Sequence, residues 1–200
     1  MNIYLDIDGS KVDIKEMPTI LACGYTGCGK STLLKKFWKQ LSLNYRGKIK
    51  FVFIDLKAVE WTNIIESEKL FEICTTSEKA DEIVDALLTT KYESPVFVFW
   101  DTFEDYLFLN NETLDKFKRL LLEGPRNNIY TVAASSRVDY GEKYVNLFKA
   151  VFLGNWQEDN YAFLDDDSKD LLKNFTTKPD SLKPGEFLMI TDNYVKKINN

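Results

Sequence analysis

The sequence predicts an α/β fold, with a mostly parallel sheet, helices on both faces and a β-hairpin at each end. Three observations predict it. A glycine-rich stretch, Gly24-Tyr25-Thr26-Gly27-Cys28-Gly29-Lys30-Ser31, lies between an apolar run at Thr19–Cys23 and a segment, residues 32–41, whose Leu33, Leu34, Phe37, Trp38 and Leu41 are spaced as in a helix. Further apolar runs at residues 48–55, 70–74, 95–101, 129–135 and 150–153 are interleaved with amphipathic segments, the order that builds a parallel sheet. The N-terminal end instead alternates polar and apolar residues around Asp8-Gly9, and the C-terminal end has two short runs joined through Thr191-Asp192-Asn193.

Two hundred residues suit one domain with a buried core, and no repeat, low-complexity tract or linker divides residues 1–200. No apolar run approaches the length of a membrane span, and Asp6 and Asp8 stand where a signal peptide carries basic charge, so a cytoplasmic location is expected. Cys23, Cys28 and Cys74 are odd in number and lack metal-ligand spacing, which points to reduced thiols. A net charge of −5 gives no global attraction to nucleic acid, so any DNA contact has to be local. The absence of histidine excludes imidazole bases and histidine metal sites, and leaves hydrolytic chemistry to carboxylates and a metal ion.

Residues 2–7 and 11–14 alternate around Asp8-Gly9, the signature of a tight hairpin, and residues 15–18 lead into the Thr19–Cys23 strand. The stretch that follows fits G-x-x-x-x-G-K-S/T at every fixed position and reads as a Walker A loop. Its glycines let backbone N–H groups converge on phosphate oxygens, and the next helix adds its positive N-terminal end. The expected ligand is ATP with Mg2+. Gly24, Tyr25, Thr26, Gly27, Cys28, Gly29, Lys30, Ser31 and Thr32 form the cradle, Lys30 neutralises the β and γ phosphates, and Ser31 Oγ completes the shell of the metal. Cys28 is either a small filler at a variable loop position or an oxidation-sensitive thiol.

The strand at residues 48–55 ends in Asp55, with Lys57 and Glu60 just beyond, where open α/β sheets gather ligand contacts; the same residues also read as a solvated, ion-paired loop. Thr75, Thr76 and Ser77 offer caps for a helix over residues 78–89, whose Ala80, Ile83, Val84, Leu87 and Leu88 form one apolar face. The apolar strand at residues 95–101 ends in Asp101, the Walker B carboxylate expected to hold Mg2+ opposite Ser31. Thr102 follows, a poor base where a water-orienting glutamate is usual. Either Glu104 or Asp105 reaches in from the turn as the catalytic acid, or the chain binds ATP and hydrolyses it slowly. Residues 110–113 cap a helix to about Glu123, and residues 124–128 end it. Beyond the strand at 129–135 come Ser135, Ser136 and Arg137, where P-loop folds often place a γ-phosphate sensor. A strand at 150–153, a short helix at 168–175 behind the capping acids Asp165, Asp166 and Asp167, and a closing hairpin at 186–190 and 194–198 complete the chain.

These residues resemble the FtsK/SpoIIIE branch of the FtsK/HerA P-loop ATPases along nearly the whole chain. The family's Lys-Met-Pro-like entry to the Walker A strand is similar to Lys15-Glu16-Met17-Pro18, and its Ile-Asp-Pro-Lys with a following Val-Glu is similar to Ile54-Asp55-Leu56-Lys57-Ala58-Val59-Glu60. Its Asp-Glu-Phe-Ala-Asp-Leu stands here as Asp101-Thr102-Phe103-Glu104-Asp105-Tyr106. Its Gly-Arg and Ala-Thr-Gln-Arg elements resemble Gly124-Pro125-Arg126 and Ala133-Ala134-Ser135-Ser136-Arg137, and Lys183-Pro184-Gly185-Glu186 looks like its late glycine turn.

The resemblance implies a RecA-like domain and a ring-forming motor, a hexamer or an assembly with related ATPase subunits. That motor would translocate double-stranded DNA in segregation, conjugation or genome packaging. Arg126 or Arg137 would then reach a neighbour's nucleotide. Thr102 in place of the catalytic glutamate, Ser135 in place of the sensor glutamine and Pro125 at the arginine-finger position each remove a group that acts on the transition state. The alternative is a nucleotide-gated module like those of EssC-type type VII secretion motors, whose substrate is protein. A nucleotide kinase is disfavoured because no arginine-rich lid is evident.

Overall fold

The computed structural model describes residues 1–61, 72–107, 111–137, 144–156, 161 and 163–199. Ten strands and five α-helices are described, in the order β1 (Tyr4–Ile7), β2 (Ser10–Asp13), β3 (Thr19–Cys23), α1 (Lys30–Asn44), β4 (Lys50–Asp55), β5 (Glu72–Cys74), α2 (Ser77–Thr89), β6 (Val96–Asp101), α3 (Glu104–Leu107), α4 (Asn111–Glu123), β7 (Ile129–Ser135), β8 (Ala150–Leu153), α5 (Asp166–Lys173), β9 (Glu186–Thr191) and β10 (Val195–Asn199). Leu70, Phe71 and the expected cap Asn110 lie outside the described residues, as does the side chain of Asp105.

Eight strands form one sheet in the order β10-β9-β8-β3-β7-β6-β4-β5. The six from β8 to β5 run parallel, and β9 and β10 add an antiparallel edge. Because side chains alternate across a strand, each apolar strand feeds two cores. Leu21, Cys23, Val98 and Trp100 pack with Ile83, Leu87, Phe117 and Leu120 of α2 and α4. Ile20, Ala22, Phe97 and Phe99 pack on the opposite face with Leu33, Leu34, Phe37 and Leu41 of α1.

The two end hairpins have different fates. In the first, Asp8 and Gly9 both take positive φ, the geometry of a tight two-residue turn, and β1 and β2 make a separate sheet laid against α1. Gln40 fixes it there, accepting the N–H of Asp6 at 2.8 Å and donating to its carbonyl at 2.9 Å. The last hairpin instead extends the main sheet through β8.

Caps explain the helix boundaries. Thr76 Oγ1 accepts the N–H of Lys79 to open α2, and Asp165 accepts the N–H of Ser168, so α5 starts two residues earlier than the sequence spacing predicts. The turn after β6 that carries Glu104 is the single-turn helix α3. Tyr106 anchors it, with a fully buried ring whose hydroxyl donates to Asp81 at 2.9 Å.

Candidate nucleotide site

The Walker A loop leaves β3 in the middle of the sheet, and β7 separates it from β6, so the carboxyl ends of four parallel strands, β3, β7, β6 and β4, open into one cleft. Gly24, Gly27 and Gly29 have φ of 143°, 84° and 103°, values that favour glycine. A side chain at Gly24 would also collide with what supports the loop, since its Cβ would lie 2.9 Å from Cys28 Sγ and 3.2 Å from the Asn155 carbonyl. The loop is pinned from behind. Tyr25 donates its N–H to Asn155 at 3.1 Å, Gly185 donates to the Cys28 carbonyl at 2.9 Å, and the Tyr25 ring stacks on Trp156 at 5.1 Å.

The N-cap of α1 is Gly29, which has no side chain to satisfy the first-turn N–H groups and so leaves them to an anion. Lys30, the first residue of the helix, is buried, and its ammonium donates to the carbonyls of Gly24 at 2.9 Å and Tyr25 at 3.1 Å. Across the cleft Asp101 ends β6. Ser31 lines the same cleft, and Asp101 Oδ2 is buried with no hydrogen-bond partner. Burial pushes its pKa up to about 6, helped by the nearby charges of Glu60 and Asp55, against the lowering effects of the nearby Ser31 hydroxyl and the Lys30 charge. A hydroxyl and an unpartnered carboxylate oxygen on residues that line one cleft suit Mg2+, which keeps most of its water and takes few protein ligands. Among the described residues no group of three or more histidines, cysteines or acids makes a closed metal cage.

The cleft has a volume of about 380 Å³. Thr26, Gly27, Gly29, Lys30, Ser31 and Thr32 form one wall, Asp55, Lys57, Val59 and Glu60 the second, and Asp101, Thr102 and Ser136 the third. Of the expected cradle, Gly24, Tyr25 and Cys28 are not on these walls; their packing shapes the loop from behind. Cys28 is buried and burial raises its thiol pKa, only partly offset by Lys30, so it fills space and carries little thiolate.

The expected sensor position divides in a way that the sequence does not show. Ser135 is fully buried, and its hydroxyl is engaged in its own turn, donating to the Arg137 carbonyl at 2.6 Å and accepting the Arg137 N–H at 3.1 Å. Ser136, one residue on, faces the cleft. Glu104 is buried outside the cleft walls and its Oε1 accepts the Ser136 N–H at 2.9 Å. Thr102 lines the cleft in a left-handed conformation, φ 54°, unusual for a β-branched residue, and its hydroxyl is buried without a partner. Pro125 and Arg126 sit in a 3-10 turn before β7, with Arg126 exposed. The seven residues of β7 put Arg126 roughly 20 Å from Ser136, at the opposite end of the sheet. Arg137 is exposed beside the cleft end of β7.

Among the described residues no helix is long and apolar enough to cross a membrane. No protein-family model matches the sequence, and no curated protein matches it either. Solved structures do. The cytoplasmic domain of the type VII secretion ATPase EccC of Thermomonospora curvata is similar over 100% of this chain and 26% of its own, with a TM-score of 0.77 at 17% identity. The pCW3 conjugation coupling protein TcpA with ATPγS gives 0.70 at 18% identity, over 99% of this chain and 65% of that one. The genome packaging NTPase B204 of Sulfolobus turreted icosahedral virus 2, in complex with AMPPCP, gives 0.69 at 14% identity over 92% of this chain and 97% of that one. The chain therefore spans about a quarter of EccC and about two thirds of TcpA, but nearly all of B204. With β7 inserted between the strand of the glycine-rich loop and the strand of Asp101, the chain shares the fold of the ATPase and NTPase domains in these structures.

Proposed function

We propose that this chain binds ATP with Mg2+ and serves as a single motor ATPase domain of the FtsK/SpoIIIE type over residues 1–200. The observation that carries the reading is the convergence of Lys30, Ser31 and Asp101, whose Oδ2 has no hydrogen-bond partner, on one cleft. Lys30 binds the β and γ phosphates, Ser31 and Asp101 hold the metal, and Ser136 contacts the terminal phosphate. The metal supplies charge neutralisation on the phosphates. Arg126, exposed and far from its own cleft, serves a neighbouring subunit in a cytoplasmic ring, a hexamer or a mixed ring with related ATPases, that moves double-stranded DNA.

The second reading is a nucleotide-gated module of a type VII secretion motor acting on protein. Two observations favour it: Thr102 leaves β6 without its water-orienting acid, and EccC is among the similar structures. Steady-state ATP turnover with and without double-stranded DNA, against Lys30→Ala as the floor, tests both. DNA-stimulated turnover supports the DNA motor; nucleotide binding with turnover at the floor and no response to DNA supports the gated module.

A further inference from the structure

Thr102 lacks the carboxylate expected beside Asp101, and Glu104 is committed to the Ser136 N–H outside the cleft walls. The cleft nonetheless receives a carboxylate from another strand. Glu60, beyond the end of β4, lines it together with Lys30, Ser31, Asp101, Thr102 and Ser136. It is close enough to Asp101 for the two charges to repel.

Three constraints hold Glu60 in place. Asp55 Oδ2 accepts the N–H groups of Val59, Glu60 and Trp61 at 3.0, 2.7 and 3.1 Å, which folds the segment into a tight turn with Ala58 at φ 54°. Trp61 is buried against Phe53 and Phe99, with ring centroids 4.6 and 5.6 Å away. Lys35, about one turn along α1 from Ser31, holds Glu60 Oε2 at 2.6 Å. A merely solvated loop needs none of these; a group that must meet a transition state in fixed geometry needs all of them.

We infer that Glu60 orients the water that attacks the γ-phosphate, a role that rests on the ATPase reading above. The water oxygen forms a bond to the γ-phosphorus as the bond from that phosphorus to the β–γ bridging oxygen breaks, and ADP leaves with the electron pair. The water keeps one hydrogen as the P–OH of inorganic phosphate, and the other passes through the Glu60 carboxylate to solvent. Lys35 is a positioning residue, because it touches Glu60 and not the reacting atoms.

The test uses the full chain and three readouts: Mg-ATP turnover, the Kd of a fluorescent non-hydrolysable ATP analogue, and the melting temperature. Glu60→Gln is expected to lower kcat about 100-fold, with KM and Kd changed less than about threefold. Glu60→Asp recovers part of that loss, and Lys35→Met lowers kcat by less than Glu60→Gln does. Unchanged kcat in Glu60→Gln, or a fall matched by an equal loss of nucleotide affinity, overturns the assignment. A wild-type chain that binds the analogue but turns ATP over no faster than Lys30→Ala also overturns it and leaves nucleotide binding standing. Failure of the wild type to bind nucleotide overturns both.

Discussion

Asp55 and Asp101 end neighbouring parallel strands and face each other in the register of β4 and β6. Both are buried, yet their partners differ completely. Asp55, which also lines the cleft, accepts three backbone N–H groups on Oδ2 alone, and these shape the following turn. Asp101 lies beside Ser31 in the cleft and keeps Oδ2 without a partner. A carboxylate oxygen whose lone pairs are used by backbone N–H groups is architecture, whereas a buried carboxylate oxygen without a partner, on a residue that lines the same cleft as a phosphate loop, is suited to a cation.

The sharpest way to break that contrast is to substitute each aspartate in turn. Asp101→Asn is expected to lower Mg-ATP turnover about 1000-fold while the chain stays folded, read by steady-state kinetics beside a thermal melt. Asp55→Ala is expected to reduce unfolding free energy by about 4 kcal/mol, because three N–H groups lose a buried charged acceptor. Urea unfolding measures it. If both variants lose turnover and neither loses stability, the two carboxylates share one job and the contrast is void.

A smaller effect separates them by pH. The folded-state pKa of Asp101 is raised from an ordinary 3.8 to about 6, so the folded chain holds its proton more tightly than the unfolded one. The stability gained this way is fully present below about pH 3.8 and is lost as pH rises through about 6. Without nucleotide or divalent metal, wild type should be up to about 3 kcal/mol less stable than Asp101→Asn at pH 7, a gap that closes toward pH 4. Added Mg2+ with nucleotide should narrow it from the other side. A gap that does not change with pH would mean that Asp101 is not under electrostatic stress.

What was legible in the sequence is what short-range patterns determine. The Walker A loop, the strand ending in Asp101, the Asp8-Gly9 turn and the apolar faces of α1, α2 and α4 follow from local spacing and turn chemistry. Residues 124–127 end α4 as expected, although as a 3-10 turn. Ser136 rather than Ser135 lines the cleft, and that depends on where the β7 ladder stops, since a shift of one residue reverses a side chain. The different status of Asp55 and Asp101 was hidden for a related reason, because it depends on which backbone donors curl back. The loop's support by Trp156 and Gly185 joins segments far apart in sequence, with only the glycines as a local signal.

That support gives the smallest of the expected effects and a finer comparison, between residues that touch the ligand space and residues that hold those in place. Tyr25 lies in the Walker A loop but off the cleft walls, stacked at 10° on Trp156, and its N–H is bound to Asn155. Losing a stacked ring costs about 1 kcal/mol beyond lost area. Tyr25→Leu and Trp156→Leu should therefore each weaken nucleotide affinity about fivefold, with kcat little changed once nucleotide is saturating. The double variant should lose less than the sum of the two, because the second substitution removes a contact already gone. Additive losses would instead mean that the stack lies behind the loop without bracing it, leaving the glycine contacts and the Asn155 and Gly185 hydrogen bonds as the supports that set the loop's shape.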